Sequence, residues 1–255
     1  MSSVAEMREL WQVPGWTEDD WLCHGLTTTS WGNLALHVGD DANQVIARRI
    51  QLAAFLGFSL DDWVSGNQIH DTKIVQVGLA HKGRGAEDLD TALPGTDGLV
   101  THEPGILLAC FYADCVPLFF IVPERRVVGI AHAGWRGTAG NIAAKMVEKL
   151  TSLYDLDHSQ IYAAIGPSIG KCRYRVGWQV AQQFPEEVIE QRGEAVYLDL
   201  KLANLLQLEA AGIDRKRILC TSICTCCSKQ FFSYRRSGNE AGRMAAVIGI
   251  NQRRM

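Results

Sequence analysis

The sequence predicts a mixed α/β fold, in which strands and helices follow one another without a fixed rhythm. Three apolar segments rich in Val, Ile and Phe lie at residues 106–112, 116–122 and 127–133, and their lengths suit buried strands better than helices. Two other segments, at 141–153 and 198–211, carry apolar residues at helical spacing. Because no regular strand–helix–strand repeat connects them, a doubly wound parallel sheet is not expected.

The composition is typical of a single globular domain that spans residues 1–255. Hydrophobic residues make up 47% of the chain and charged residues 21%, which supplies enough apolar surface for one sizeable core. A chain of 255 residues is long for one average domain and short for two large ones. One domain with one or two packed sheets is the simplest interpretation.

The remaining elements follow from local patterns. Helical spacing over residues 42–56 predicts a helix that ends at Gly57, because glycine readily adopts the left-handed conformation that closes a helix. The glycine- and charge-rich segment 81–95 shows no periodicity and is predicted to be a mobile loop. Short strands are predicted at 73–77 and 161–165, a helix start at 177–183, and a strand or helix at 244–250.

The charge balance argues against nucleic acids and membranes as partners. The net charge is -3 and the isoelectric point is about 6.2, so no positive field attracts phosphate backbones or anionic lipids. The first residues include charges and lack the apolar centre of a signal peptide. No apolar run reaches the roughly 18 residues needed to span a bilayer. We therefore expect a soluble, cytoplasmic protein.

The eight cysteines are expected to be free thiols. Without a secretion signal, the chain is expected in a reducing compartment, where disulfides rarely persist. Each cysteine is then a packing residue, a metal ligand or a nucleophile. Four of them crowd into positions 220–227, but their spacing lacks the paired CxxC motifs of zinc ribbons, which favours free thiols over a second metal site.

Reactive side chains and turn residues occur together in three short segments. These are NQIH at 67–70, ADCVP at 113–117 and AHAGWRG at 131–137. Each reactive residue falls at or beside the end of a predicted strand, where side chains from distant parts of a chain converge. His70, Cys115 and His132 are the residues that this argument places together.

Two imidazoles and one thiolate form a ligand set that suits zinc or copper far better than magnesium or calcium. Three protein ligands leave a fourth position for water or substrate, as catalytic metal sites require, and water held there becomes acidic enough to act as a nucleophile. None of the three residues has a CxxC or HExxH neighbour. Spacing therefore leaves open the alternative of core histidines and a buried thiol.

Asp114 and Arg136 are candidate catalytic residues beside this set. Asp114 can orient an imidazole or transfer a proton, or it can form a turn with its own backbone. Arg136, in a glycine-flanked turn, can hold phosphate or form a structural salt bridge. Three aromatic residues later in the chain can stack on a planar base or pack in the core: Phe231, Phe232 and Tyr234.

Six sequence blocks closely resemble, in order, the signature motifs of a known family: NQIH, TDGLVT, ADCVPLFF, AHAGWRGTAGNI, IGPSIGKCRYRVG and FFSYRRSGNEAGRMAA. This family is that of the multicopper polyphenol oxidoreductases, also called laccase-like proteins. It is now associated with purine nucleoside phosphorylase, adenosine deaminase and methylthioadenosine phosphorylase activities. The resemblance covers residues 67–246 and implies packed mixed β-sheets flanked by helices, related to the fold of certain bacterial cysteine-hydrolase toxins.

The resemblance also implies that His70, Cys115 and His132 bind the metal, which is zinc or alternatively copper. The implied substrates are purine nucleosides and phosphate. Adenosine, inosine, guanosine and S-methyl-5′-thioadenosine would be split into base and (methylthio)ribose 1-phosphate, and adenosine would also be deaminated to inosine. Two positions depart from the family pattern, because Arg173 and Arg175 stand where its members often have Cys and Glu.

Three other functions stay open. A cysteine hydrolase or amidase, for example one that edits cell-wall precursor peptides, would use Cys115 as nucleophile and His132 as its base. A copper oxidase of phenols would need a multi-centre copper cluster, which a single site with three ligands does not supply. A metal-binding protein without catalytic activity is the third of these functions.

Overall fold

Two β-sheets pack face to face at the centre of the protein, and helices cover both outer faces. The computed structural model describes residues 8–18 and 20–252. Fourteen strands lie in these ranges: β1 (Leu10–Trp11), β2 (Leu22–Thr27), β3 (Trp63–Ser65), β4 (Ile74–Gln76), β5 (Gly98–Thr101), β6 (Leu107–Tyr112), β7 (Val116–Val122), β8 (Val127–Ala133), β9 (Tyr162–Ile165), β10 (Arg175–Val176), β11 (Ile189–Arg192), β12 (Ala195–Leu198), β13 (Ile218–Cys220) and β14 (Met244–Ile250). The α-helices of the same ranges are α1 (Ala42–Phe55), α2 (Trp135–Ala139), α3 (Ile142–Tyr154), α4 (Trp178–Ala181), α5 (Leu200–Ala210) and α6 (Tyr234–Ser237).

The two central sheets are both mixed. The larger has six strands in the order β13–β9–β7–β8–β5–β4, and the other has five in the order β1–β2–β14–β6–β3. Most neighbours are antiparallel, but β3 pairs in parallel with β6, β4 with β5, and β9 with β13. A third, antiparallel sheet has the order β10–β12–β11. The predicted mixed α/β fold with packed mixed sheets is thus confirmed.

The continuous apolar runs exist because the central strands are buried on both faces. In β7, Phe119 and Ile121 enter the space between the two sheets, whereas Leu118, Phe120 and Val122 pack on the other side, in the same cluster as α3 and α5. Strand β6 alternates in the same way between the inter-sheet core and the layer that contains α1. Since neighbouring residues of a strand point to opposite faces, a strand between two layers needs apolar residues at every position.

Strand β2 escapes prediction because His24 and Gly25 interrupt its apolar pattern. The structure nevertheless buries all six residues of this strand. Nε2 of His24 accepts a hydrogen bond from the backbone N–H of Val13 at 3.0 Å, so the imidazole is compatible with a buried position. The predicted end of the first helix is confirmed, since α1 ends at Phe55 and Gly57 has a φ of +82°.

The segment 81–95, predicted to be mobile, is anchored to the core instead. The guanidinium of the buried Arg49 donates to the carbonyl oxygens of Gly85 and Ala86 at 2.7 and 2.6 Å. Ala92 and Leu93 of the same segment are also buried. The segment 81–95 therefore has an irregular backbone but is held in place by contacts with the core.

Every helix within the described ranges is too short or too polar to span a lipid bilayer.

Candidate functional site

The start of β7 and the end of β8 meet at one edge of the six-stranded sheet. Their antiparallel pairing sets Val116 opposite Ala133 and Pro117 opposite His132. Cys115, one residue before β7, is therefore brought beside the imidazole of His132. A cavity of about 550 Å³ opens at this edge, and its walls include Cys115 and His132. This volume is in the range of small-molecule binding sites.

His70 reaches the same cavity from the loop between β3 and β4, where its φ is +64°. Its backbone N–H and those of Ile69 and Asp71 donate to the carboxylate of Asp97 at 3.1, 3.0 and 2.9 Å. Asp97 is fully buried and directly precedes β5, which pairs with β8. Oδ1 of Asp97 also lies 2.8 Å from Nδ1 of His132. One carboxylate therefore fixes the positions of both histidines.

The ligand atoms of His70, Cys115 and His132 all lie within 4.8 Å of one another. The two imidazole rings have centroids 4.7 Å apart and planes at 75°. Gly134 allows this approach, because a Cβ atom at that position would lie 2.8 Å from Cδ2 of His70 and 3.1 Å from Sγ of Cys115. The structure thus brings together the three residues that the sequence singled out, and we call them the triad.

Cys115 and His132 shift each other's pKa in opposite directions. Burial alone would raise the pKa of the Cys115 thiol, but His132 and then His70 outweigh burial by charge and hydrogen bonding and lower this pKa to about 6. Burial alone would lower the pKa of His132, yet the Cys115 thiolate and the Asp97 carboxylate raise it to about 9. In the absence of a metal, the pair is a thiolate and an imidazolium at neutral pH.

Alkylation of Cys115 by iodoacetamide in metal-free protein is expected to follow this lowered pKa. Only the thiolate reacts, so the rate should rise as the pH passes through about 6, whereas an ordinary thiol titrates near about 8.5. Peptide mapping by mass spectrometry measures the rate at Cys115 separately from the other thiols. In His132→Ala the pH midpoint of alkylation should move upward, because the imidazolium that stabilises the Cys115 thiolate is lost. A wild-type midpoint near that of an ordinary thiol would contradict the charge pair.

The donor set of the triad fits a borderline-soft metal ion. Two imidazole nitrogens and a thiolate are ligands of zinc and copper, and three protein ligands leave room for a fourth. Because Nδ1 of His132 faces Asp97, Nε2 is the atom left for a metal. Carboxylates that contact a ligating imidazole in this way fix its tautomer and orientation.

Asp114 does not orient either imidazole, so this part of its predicted role is wrong. Its carboxylate accepts hydrogen bonds from Oγ1 of Thr225 at 2.7 Å, Oγ of Ser233 at 3.0 Å and the backbone N–H of Arg235 at 2.7 Å. Asp97 contacts the imidazole instead. Asp114 lines the cavity and anchors the segment 225–235 beside it. Proton transfer by Asp114 stays a prediction.

Three arginines line the cavity: Arg136, Arg235 and Arg243. Arg136 lies in the short helix α2 rather than in the predicted turn, and its guanidinium stacks on the ring of Trp135 at 4.1 Å from the centroid. Among the residues that the structure describes, no ion pair joins any of these three guanidinium groups to a carboxylate. Within this part of the chain, the salt bridge considered for Arg136 is not formed. Guanidinium groups that line a cavity without forming an ion pair to a carboxylate are suited to bind an anion.

The aromatic residues divide between the core and the cavity. Phe231 is buried between the two sheets and Phe232 packs against the same cluster, so the core alternative holds for both. Tyr234 is half exposed and lines the cavity, as do Tyr174 and Phe111, which the sequence analysis did not single out. These three rings and that of Trp135 therefore line the space next to the triad.

Asp97 is the main site residue that sequence reasoning missed. It stands in the TDGLVT block, directly before an apolar strand, and a carboxylate in that position is a detectable signal. The sequence argument singles out Asp114 because it adjoins Cys115, and Asp97 has no such neighbour. Tyr174 and Arg243 also stand in the quoted blocks IGPSIGKCRYRVG and FFSYRRSGNEAGRMAA, but only the tertiary structure shows that they line the cavity.

This chain is similar to several known proteins in sequence and in overall structure. The model of the family described as "Multi-copper polyphenol oxidoreductase laccase" matches residues 24–251. Purine nucleoside phosphorylase YlmD of Geobacillus stearothermophilus is 44% identical over an alignment of 243 residues, which covers 88% of this chain and 89% of that protein. Adenosine deaminase RL5 of an unknown prokaryotic organism is 35% identical over 83% of this chain and 84% of its own length. The crystal structure of YlmD from Geobacillus stearothermophilus aligns with a TM-score of 0.90 at 41% identity, over 96% of this chain and 97% of that one.

Proposed function

Since this chain belongs to the multi-copper polyphenol oxidoreductase laccase family, we propose that it is a metal-dependent purine nucleoside enzyme, formed as one domain by residues 1–255. The proposed reactions are phosphorolysis of adenosine, inosine, guanosine and S-methyl-5′-thioadenosine, and hydrolytic deamination of adenosine. The observation that carries this proposal is one cavity that combines the triad with three arginines, none of which forms an ion pair with a carboxylate within residues 8–18 and 20–252. The names of the relatives, a phosphorylase and a deaminase, support both reactions.

We assign the metal to His70, Cys115 and His132, with zinc as the cation and copper as the alternative. A zinc ion held by these ligands would supply Lewis acidity. It would also lower the pKa of a water, so that hydroxide forms near neutral pH and can attack C6 of adenine. The chain contributes the rest of the site. Asp97 holds the His132 imidazole in the tautomer that leaves Nε2 available and holds the His70 loop in place through three backbone N–H groups.

Deamination and phosphorolysis place different demands on the cavity. In deamination, water adds to C6 of adenine and the amino group leaves as ammonia. In phosphorolysis, the bond between the base and C1′ breaks while a phosphate oxygen bonds to C1′. The second reaction needs an anion site, which Arg136, Arg235 and Arg243 supply, and their charge also stabilises the leaving base as electrons move onto it. Tyr174, Tyr234 and Phe111 offer faces on which a purine ring can stack.

A cysteine hydrolase is the second candidate function, and the charge pair of the metal-free site favours it. A thiolate beside an imidazolium is the form in which cysteine nucleophiles act. The two functions respond to metal in opposite ways. A chelator should abolish the nucleoside activities, whereas it should leave or increase a thiol-dependent hydrolysis.

The test of the proposed function is a product assay with adenosine. Zinc-loaded protein is incubated with adenosine in the presence and absence of phosphate, and the products are separated by chromatography. Inosine is expected in both conditions, and free purine base together with ribose 1-phosphate only when phosphate is present. A parallel copper-loaded sample distinguishes the two metals. The absence of any product with either metal would remove the proposed function.

A further inference from the structure

A second group of thiols lies outside the triad. Cys172 follows β9, and Cys224 and Cys227 follow β13. Their Sγ atoms all lie within 4.8 Å of one another, and those of Cys172 and Cys227 are 3.8 Å apart. The set differs from the crowded segment 220–227 noted in the sequence, because Cys172 joins from more than fifty positions earlier and Cys220 and Cys226 are not among the three.

The sheet explains why these cysteines meet. Strands β9 and β13 are parallel neighbours, with Ile165 opposite Cys220, so the segments that follow them leave the same edge of the sheet. Backbone pairing then continues beyond the strands, where Ser168 forms a bridge with Cys224 and accepts a hydrogen bond from the N–H of Thr225 at 3.0 Å. The positions of the thiols are therefore set by backbone that is already hydrogen-bonded.

The distance between the Sγ atoms of Cys172 and Cys227 is that of two metal ligands rather than of a disulfide. Zinc–sulfur bonds of about 2.3 Å at tetrahedral angles place two sulfurs about 3.8 Å apart, whereas a disulfide requires about 2.05 Å. Two N–H groups also point at the sulfurs. The backbone N–H of Gly170 donates to Cys224 at 3.2 Å, and Nε of Arg173 donates to Cys227 at 3.4 Å. Such donors stabilise thiolates and orient metal ligands.

We propose that Cys172, Cys224 and Cys227 form a second metal site, which binds a thiophilic cation with a filled d shell, such as zinc. Three thiolates are soft ligands that favour this class of ion, and a water completes the coordination. The site would join the turn at residues 170–173 to the turn at 224–228. This second turn contacts a residue of the cavity wall, because Oγ1 of Thr225 donates to the carboxylate of Asp114 at 2.7 Å and Asp114 lines the cavity.

Metal counting in variants tests the proposal. Reduced, chelator-treated protein is reloaded with excess zinc and desalted, and the zinc per chain is measured by mass spectrometry. The wild-type protein should retain two zinc ions per chain. Cys172→Ser and Cys227→Ser should each retain one. Cys226→Ser, the matched control from the same turn, should retain two. Cys115→Ala should lose the triad ion and keep the other. The zinc count of Cys115→Ala tests the second site without the triad and without any activity assay. Failure of the second site can therefore be told apart from failure of the proposed function.

Thiol protection gives a readout that needs no variant. Zinc should slow alkylation of Cys172 and Cys227 in the wild-type protein and leave Cys226 unprotected, as followed by peptide mapping. One zinc per wild-type chain, combined with equal alkylation of the three thiols with and without zinc, would overturn the second site. A disulfide between Cys172 and Cys227 in protein kept under reductant would overturn it as well.

Discussion

Replacing Cys115 with alanine is expected to lower both adenosine phosphorolysis and adenosine deamination by at least about 10³-fold, which corresponds to about 4 kcal/mol of transition-state stabilisation. The thiolate is the one anionic ligand of the triad, so its loss leaves two neutral imidazoles and a weak metal site. Measurement of kcat/KM for both reactions, together with the zinc content, gives the size of the loss.

Cys226→Ser is the matched control for this experiment, because Cys226 belongs neither to the triad nor to the group of Cys172, Cys224 and Cys227. It should retain activity within about twofold of wild type, as expected of a substitution away from the reacting groups. The circular dichroism spectrum of Cys115→Ala should match that of wild type if the loss is chemical. A Cys115→Ala protein that keeps more than a tenth of either activity would contradict metal-dependent catalysis at the triad.

Arg136→Met is expected to separate the two reactions. Phosphorolysis should fall by about 10²-fold or more, because a guanidinium that holds the anionic substrate and stabilises developing charge is lost. Deamination should change little, since water rather than phosphate is its second substrate. The side chain of methionine keeps an apolar stem near the ring of Trp135, which limits disturbance of the cavity wall.

The ratio of the two kcat/KM values, measured on adenosine with and without phosphate, is the quantity to compare. Arg125→Met is the control, because Arg125 follows the far end of β7, away from the cavity. It should leave both rates and their ratio unchanged. An equal fall of phosphorolysis and deamination in Arg136→Met would show that Arg136 supports the site as a whole and does not bind phosphate selectively.

An element of this fold could be predicted when its own residues show a clear pattern, and could not when it depends on residues far away in the chain. Strands β7 and β8 are predicted at their observed bounds, because burial on both faces leaves a continuous apolar run. Strand β2 is equally buried but holds His24, whose hydrogen bond to the distant Val13 is invisible in a local pattern. The anchoring of segment 81–95 escapes prediction for the same reason, since it depends on Arg49 in another element.

The site is predictable only in part. Spacing by itself could not decide between ligands and core residues for His70, Cys115 and His132, and the family resemblance made that choice. The contact between Cys115 and His132 follows from strand pairing, which a sequence-based reading of two adjacent strands can anticipate. Asp114 attracted attention because it adjoins Cys115, yet the fully buried Asp97 is the carboxylate that contacts the imidazole. The side chains of the adjacent residues Asp114 and Cys115 therefore contact different groups: Cys115 lies beside the two histidines, whereas Asp114 binds Thr225, Ser233 and Arg235.

Anomalous diffraction at the zinc absorption edge tests the metal assignment most directly. Crystals of the zinc-loaded protein should show a strong anomalous peak bonded to His70, Cys115 and His132, with a zinc–sulfur distance of about 2.3 Å and zinc–nitrogen distances of about 2.0 to 2.1 Å. The carboxylate of Asp97 should remain in contact with the second nitrogen of the His132 ring. A fully loaded crystal with no anomalous density between these three side chains would contradict the account.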